Sequence, residues 1–292
     1  LVAGGAGKTP AVMAIVRRLR ERGFNPGIIS RGYGRADAGL VDVQPDTPVV
    51  SCGDEPLLLR LRTGAPVMVG HDRAAAGNEL LRRYSAVNII VSDDGLQHWR
   101  LARDAQVLVF DERGAGNGWL LPAGPLRAAL PARVPPRTVV LYNAVRASTP
   151  LPGELATRSL AGVVSLADWW QGRVANRAAL EALKGRTLVA AAGMARPQRF
   201  FDMLRAAGLD VEPMALPDHF DYATLPWPAQ TDDVVVTEKD AVKLAPARVG
   251  RARVWVAALD FGTSPAFDAA LLALLPNPAL NSHENTDGSP PA

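Results

Sequence analysis

Cysteine is almost absent from this chain. Cys52 stands alone among 292 residues, which excludes an intramolecular disulfide and fits a reducing compartment. It reads as a small buried hydrophobe. No apolar run reaches the roughly 18 residues that span a bilayer. Lysine is scarce: it occurs only at positions 8, 184, 239 and 243, and arginine carries the remaining positive charge. An initiator Met is lacking, and only Leu1-Val2-Ala3 precede Gly4, where a buried parallel strand usually runs about five residues. The expectation is a chain whose N-terminal piece is missing, together with any signal or anchor it held. What remains is ordinary globular composition, 48% hydrophobic and 21% charged, at a length that favours two domains.

The most informative segment is Gly4-Gly5-Ala6-Gly7-Lys8-Thr9. A Gly-rich turn lets backbone N–H groups wrap a polyphosphate, because Gly tolerates φ > 0 and close approach. The apolar helical run that follows (Ala11, Val12, Ile15, Val16, Leu19) aims its N-terminal dipole at the anion. Lys8 would reach the β- and γ-phosphates and the Thr9 hydroxyl would ligate Mg²⁺. The pattern is a variant, since Val2 stands where the first Gly belongs.

Apolar runs at 27–30, 66–69, 88–91 and 107–110 alternate with helical patterns at about 9–22, 54–63 and 72–83. Such alternation predicts a parallel sheet covered on both faces, with polar functional residues just past the strand ends. Ser30 to Gly34, Gly70 to Arg73 and Ser92 to Gly95 fall there. The Gly- and Pro-rich stretch from 111 to 137 reads as a connecting segment. A second α/β pattern follows, with strands near 138–142, 163–167, 186–191, 211–215, 233–237 and 253–258 and a helix at 197–207. The predicted fold is therefore α/β: a P-loop NTPase-like parallel-sheet domain over 1–137 plus a second, smaller α/β domain over 138–275. The polar stretch 276–292 reads as a disordered tail. Arg17, Arg18, Arg20 and Arg22 line one side of the first helix. Two readings stand for them, a solvated face and contact with an anionic membrane surface or an acidic substrate.

Carboxylates supply the remaining chemistry. A hydrophobic strand ending in Asp93-Asp94, downstream of a P-loop, has the Walker B arrangement for holding Mg²⁺. Asp54-Glu55, before Pro56, form a second pair. Asp54 can cap a helix. Alternatively, one carboxylate serves the metal while the other accepts a proton from an attacking hydroxyl. His219, in Pro217-Asp218-His219, is the leading candidate to tune that base.

Read in order, the segments form a longer string. It comprises the P-loop, Ser30-Arg31-Gly32-Tyr33-Gly34, Gly53 to Pro56, His71-Asp72-Arg73, Ser92 to His98 and Gly116 to Arg127. It continues with Arg196 to Phe201, Pro217 to His219 and Thr237 to Lys243. This string resembles the tetraacyldisaccharide 4'-kinase family, the lipid A 4'-kinases of Gram-negative bacteria, over about residues 1–260. The resemblance implies ATP- and Mg²⁺-dependent phosphorylation of the 4'-hydroxyl of a tetraacylated glucosamine disaccharide 1-phosphate. It implies work at the cytoplasmic face of the inner membrane, with peripheral or monotopic contact there, and no nucleic-acid partner. By position it assigns Gly4, Gly5, Ala6, Gly7, Lys8 and Thr9 to the nucleotide. Asp54 becomes the base, paired with His219. Thr9, Glu55, Asp93, Asp94 and Gln97 surround the metal, and Arg31, Tyr33, Arg73 and His98 contact substrate.

Two departures accompany the match. The family's N-terminal hydrophobic helix is missing, and His219-Phe220 replaces a frequent His-His. The role of Glu238-Lys239-Asp240 stays open between a structural ion pair and a nucleotide contact. Two rival functions remain: a P-loop switch that hydrolyses nucleotide for timing, and a kinase for a soluble sugar. A switch needs no hydroxyl acceptor. A soluble-sugar kinase gives the apolar stretch Trp119-Leu120-Leu121-Pro122 no role.

Overall fold

A computed structural model of the chain describes residues 7–35 and 39–276. The first half begins with helix α1 (Lys8–Glu21) and runs β1 (Pro26–Ser30), β2 (Val41–Val43), α2 (Val49–Cys52), α3 (Asp54–Thr63), β3 (Val67–Val69), α4 (Arg73–Arg83) and β4 (Ile89–Ser92). These strands form a sheet in the order β2-β3-β1-β4, parallel except for β2 against β3. Strand β1 is buried along its whole length, as a central parallel strand with both faces covered must be. It owes this to an apolar run without alternation.

Strands β5 (Gln106–Asp111), β6 (Thr138–Asn143) and β7 (Glu154–Leu155) form a second, parallel sheet. The pairing of β5 with β6 crosses the expected domain boundary at 137. A parallel pair needs a crossover of a dozen or more residues, and the Gly- and Pro-rich segment supplies it. That segment is a connection inside one sheet layer. Helix α1 covers both sheets: Ala11, Ile15 and Leu19 share a core with Ile89 and Val91 of β4 and with Val107, Val139 and Leu141 of β5 and β6.

The second half contributes β8 (Thr157–Ser165), α5 (Leu166–Trp170), α6 (Arg177–Glu181), β9 (Thr187–Ala192), α7 (Pro197–Ala206), β10 (Asp210–Ala215), β11 (Asp233–Thr237), α8 (Glu238–Ala241), β12 (Arg253–Gly262) and α9 (Pro265–Leu272). Its sheet has the order β10-β9-β11-β12-β8, with only β8 antiparallel. Strand β8 begins at Thr157, earlier than its apolar run, because it pairs along β12 out to Gly262. The chain then turns back: Phe267 and Leu271 of α9 bury themselves against the α1 core. A second shared core joins Leu57 and Leu58 of α3 to Trp169, Ala241 and Val256. The two lobes thus meet on both sides of a cleft of about 1010 Å³. Of the expected tail only Pro276 is described, and residues 277–292 lie outside the described residues.

Candidate active site

Gly7 stands immediately before α1 with φ of 86°, in the left-handed region. A Cβ there would fall 2.1 Å from Asn143 Nδ2, so the turn fits only glycine. Gly4, Gly5 and Ala6 lie outside the described residues. Lys8 and Thr9 open α1 and line the cleft. The Lys8 ammonium donates to Asp94 Oδ1 at 2.6 Å, and Arg127 donates to Asp94 Oδ2 at 3.0 Å. Burial works against the Asp94 charge, but Lys8 and then Arg127 outweigh it and hold the carboxyl below its ordinary range. Asp94 therefore meets two cations, where a metal ligand was expected.

Asp93 differs sharply. It is buried, and its Oδ1 has no hydrogen-bond partner. Burial, reinforced by the neighbouring Glu55 carboxylate, pushes it up to about 7. Lys8 and Arg73 offset this only in part, and a buried carboxylate oxygen without a partner beside a second carboxylate is a place where a cation fits. Among the described residues no three His, Cys, Asp or Glu side chains gather tightly enough to enclose a metal. Mg²⁺ needs no such cage, because it takes one or two carboxylates together with substrate phosphates. Gln97 is half-buried in the turn after β4 and lies away from the cleft lining.

Asp54 is the first residue of α3 and is 4% exposed. It does not cap the helix; Gly53 holds that position without a side-chain bond. Asp54 Oδ1 accepts the Glu55 N–H at 2.9 Å, and Oδ2 lies 2.9 Å from His219 Nδ1. The structure thus brings the two expected partners together across the lobes. Burial raises the Asp54 carboxyl, yet His219, Lys239 and Lys243 together leave it below its ordinary value. The Asp54 bond lifts the His219 imidazole, against burial and the nearby Lys239. Lys239 Nζ lies 3.3 Å from His219 Nε2, which favours the tautomer with its proton on Nδ1, facing Asp54. His219 itself has φ of 61°, an uncommon conformation for a residue with a Cβ.

The remaining expected residues divide. The Tyr33 ring is 5.4 Å from the His219 ring, centroid to centroid, on the cleft wall. Arg31 is exposed at the end of β1. Arg73 is buried and donates through Nη1 to the carbonyls of Gly70 and His71 at 2.8 and 3.0 Å, while its buried Nε has no hydrogen-bond partner. His98 faces Asp72 at 3.7 Å. Neither Arg73 nor His98 lines the cleft.

Four residues near the site carry no assigned role in the sequence: Arg127 and Lys243, which stand inside the motif string, Lys239, whose role stays open there, and Asn143. Lys239 pairs with Glu55 at 3.5 Å and Asp218 at 3.3 Å. Burial opposes its charge, but Glu55, Asp54 and Asp218 outweigh that and raise it. Asp240 of the same segment is fully buried and accepts from the Gly193 N–H and the Thr237 hydroxyl. The scarcity of lysine was the usable signal, since three of the four lysines gather here.

A glycine turn opening a helix, with Lys8 and Thr9 at its start and a carboxylate-ended strand beside it, has the parts of a P-loop phosphate site. The family model for tetraacyldisaccharide-1-P 4'-kinase matches residues 1–276. The chain is 59% identical over 275 residues to a tetraacyldisaccharide 4'-kinase of Methylibium petroleiphilum, covering 92% of this chain and 77% of that one. It is 54% identical over 279 residues to the Leptothrix cholodnii protein of the same name, covering 94% and 80%. This chain belongs to the tetraacyldisaccharide 4'-kinase family. Among solved structures, LpxK from Aquifex aeolicus, crystallised in complex with ATP, shares the fold with a TM-score of 0.74 at 24% identity, over 94% of this chain and 86% of that one.

Proposed function

We propose that this chain transfers the γ-phosphoryl group of ATP to the 4'-hydroxyl of a tetraacyldisaccharide 1-phosphate, a step of lipid A biosynthesis. The observation that carries this reading is the 2.9 Å contact between the buried Asp54 and His219, whose imidazole lines the same cleft as Lys8 and Thr9. A timing switch has no use for a base aimed at an acceptor. Gly4 to Thr9 would cradle the triphosphate. Lys8 leaves Asp94 for the phosphates and stabilises the charge that develops during transfer. Asp54 accepts the proton of the sugar hydroxyl, and His219 keeps its carboxylate aligned and charged. Tyr33 borders the acceptor side of the cleft.

Thr9, Glu55 and Asp93 would hold Mg²⁺, which when bound neutralises phosphate charge. The partnerless Asp93 Oδ1 supports that role, and the double pairing of Asp94 argues that it acts on Lys8 instead. Arg31, Arg73 and His98 stay as substrate contacts on family likeness alone.

Peripheral contact with the cytoplasmic face of the inner membrane follows from the lipid substrate. No helix among the described residues is long and apolar enough to cross a membrane. The Arg cluster on α1 is a poor membrane anchor. Arg17 and Arg20 donate to the carbonyls of Phe261 and Thr63, and Arg18 pairs with Glu21 and Asp268. The exposed side chains of Trp119, Leu120 and Leu121 are a better candidate.

The test is label transfer from [γ-³²P]ATP to the lipid disaccharide, measured beside free phosphate release. Label should appear in lipid and fall at least about 10²-fold in Lys8→Ala. Phosphate release without lipid labelling would favour the switch and overturn the proposal.

A further inference from the structure

Lys243 is a lysine with almost no access to water, 5% exposed at its side chain, in a segment whose role the family likeness leaves open. Burying an ammonium is costly unless it is paired. Its Nζ lies 3.2 Å from Asp240 Oδ1 and 3.7 Å from Asp54 Oδ2, and 5.5 Å from the centre of the Tyr222 ring. Asp240 is 0% exposed and is itself fixed by the Gly193 N–H at 3.1 Å and the Thr237 hydroxyl at 2.7 Å. Three links therefore run in series: rigid backbone at the ends of β9 and β11, then Asp240, then Lys243, then Asp54. All but the last belong to the second lobe.

We infer that Lys243 is a positioning residue for phosphoryl transfer, holding the Asp54 carboxylate from the second lobe while Asp240 holds Lys243. The inference rests on the reading of Asp54 as the base. The two oxygens of Asp54 are held from different directions. Oδ1 is tied to its own helix through the Glu55 N–H, whereas Oδ2 meets His219 and Lys243. The Glu55 N–H fixes Oδ1 from the helix itself, so Oδ2 is the end that the second lobe must fix. The imidazole alone gives it one cross-lobe contact, and the Lys243 ammonium gives it a second. Lys239 also favours the Asp54 charge, but its close contacts are with Glu55, Asp218 and His219 Nε2, and Lys243 is the lysine in contact with Oδ2. The arrangement also relates the base to lobe geometry: Asp54 is fully held only where the second lobe presents both His219 and Lys243.

The experiment is a double-mutant cycle in the intact chain, with lipid labelling as the readout and thermal denaturation as the folding check. Lys243→Met keeps an unbranched side chain, one atom shorter, and removes its charge. It should lower kcat about 10²-fold, the scale of a roughly 1 Å misplacement, with KM for ATP within about twofold. In an Asp54→Asn background the same change should cost less than about threefold, because residues that act through one another are not additive. Asp240→Asn, nearly isosteric, should give a smaller loss that also vanishes in that background. It carries the test if Lys243→Met fails to fold. Equal proportional losses in both backgrounds would show a purely structural lysine and overturn the inference. An unchanged kcat in Asp54→Asn alone would instead remove the base reading, and the positioning role with it.

Discussion

At the scale of single residues, the acidic groups sort by what surrounds them. Asp93 is buried with no hydrogen bond to its Oδ1 and is pushed up, Lys8 and Arg73 offsetting burial only in part, while Asp94, one residue on, is held low by Lys8 and Arg127. Away from the cleft, Asp111 shows the same physics in a purely structural role. It ends β5 at 1% exposure and accepts from Arg113 Nε at 2.9 Å and from the Arg113 N–H at 3.0 Å, with Arg196 of the other lobe at 3.8 Å. Burial raises its carboxyl, but Arg113 and Arg196 outweigh burial and leave it depressed. A folded-state value below the unfolded one adds stability that is present above the unfolded value of about 3.9. That stability is lost as pH falls through the folded value. Asp111→Asn should therefore destabilise the protein at neutral pH, by about 1–3 kcal/mol, the scale of a hydrogen bond to a charged group. The deficit should shrink as pH drops below 4. Urea unfolding at pH 7 and pH 3.5 measures both. A deficit that stayed constant or grew toward acid would refute the assignment.

At the scale of elements, the loop from Asn117 to Leu126 is ordered although its tip is apolar and exposed. Asn117 Nδ2 donates to the Ala123 carbonyl at 3.0 Å, the Leu121 N–H to the Leu126 carbonyl at 2.8 Å, and Gly124 N–H to the Leu120 carbonyl at 2.9 Å. Leu126 is the buried root, packed with Phe110 and Tyr142, and the next residue, Arg127, reaches Asp94. The loop thus holds Trp119, at 67% exposure, and Leu121, at 54%, in fixed positions. Burying a large apolar side chain contributes about 1.5–3 kcal/mol. Trp119→Ser with Leu121→Ser should therefore weaken vesicle binding at least tenfold and slow phosphorylation of vesicle-borne lipid. Turnover of detergent-dispersed lipid should stay near normal. Sedimentation with vesicles equal to that of the unmutated chain would exclude the loop as a membrane contact. The apolar character of this loop was readable in the sequence, as were β1, β3, β4, β5 and helices α1, α3 and α4, whose runs are long and apolar or regularly periodic. Strand β2 was not, because Val41-Asp42-Val43 is too short to show a period and is set by pairing with β3. Helix α9 hid in an Ala- and Leu-rich run beside the polar tail, although Ser264 caps it. The pairing of β5 with β6 was hidden by the Gly- and Pro-rich segment, whose composition marks a connection but not what it connects.

At the scale of the whole molecule, the site exists because the lobes are joined on two sides. Helix α9 returns to α1, and α3 packs into the core of the second lobe, so Asp54 and His219 meet although 165 positions separate them. Each residue was legible as a candidate, Asp54 from its paired carboxylate and His219 from its place in Pro-Asp-His. Their 2.9 Å contact was not, because it depends on how the two lobes pack through shared cores. Helix α8 brings Lys239 alongside to fix the imidazole tautomer, and the left-handed backbone at His219 turns the ring toward α3. A unit assembled this way should fail as a unit. Asp54→Asn and His219→Ala should each lower kcat by about 10²–10⁴, the range of general acid–base catalysis, while ATP binding is kept. The double variant should lose little more than the worse single one. Since the contact needs both lobes in register, a disruption of the docking far from the cleft should act through the same unit. Phe267→Ala, which empties the α9 anchor beside α1, should lower kcat in the unmutated background. In Asp54→Asn it should have much less effect. Multiplicative losses across the Asp54 and His219 pair would mean that the two side chains touch without working together. The cross-lobe contact would then be a brace between the lobes.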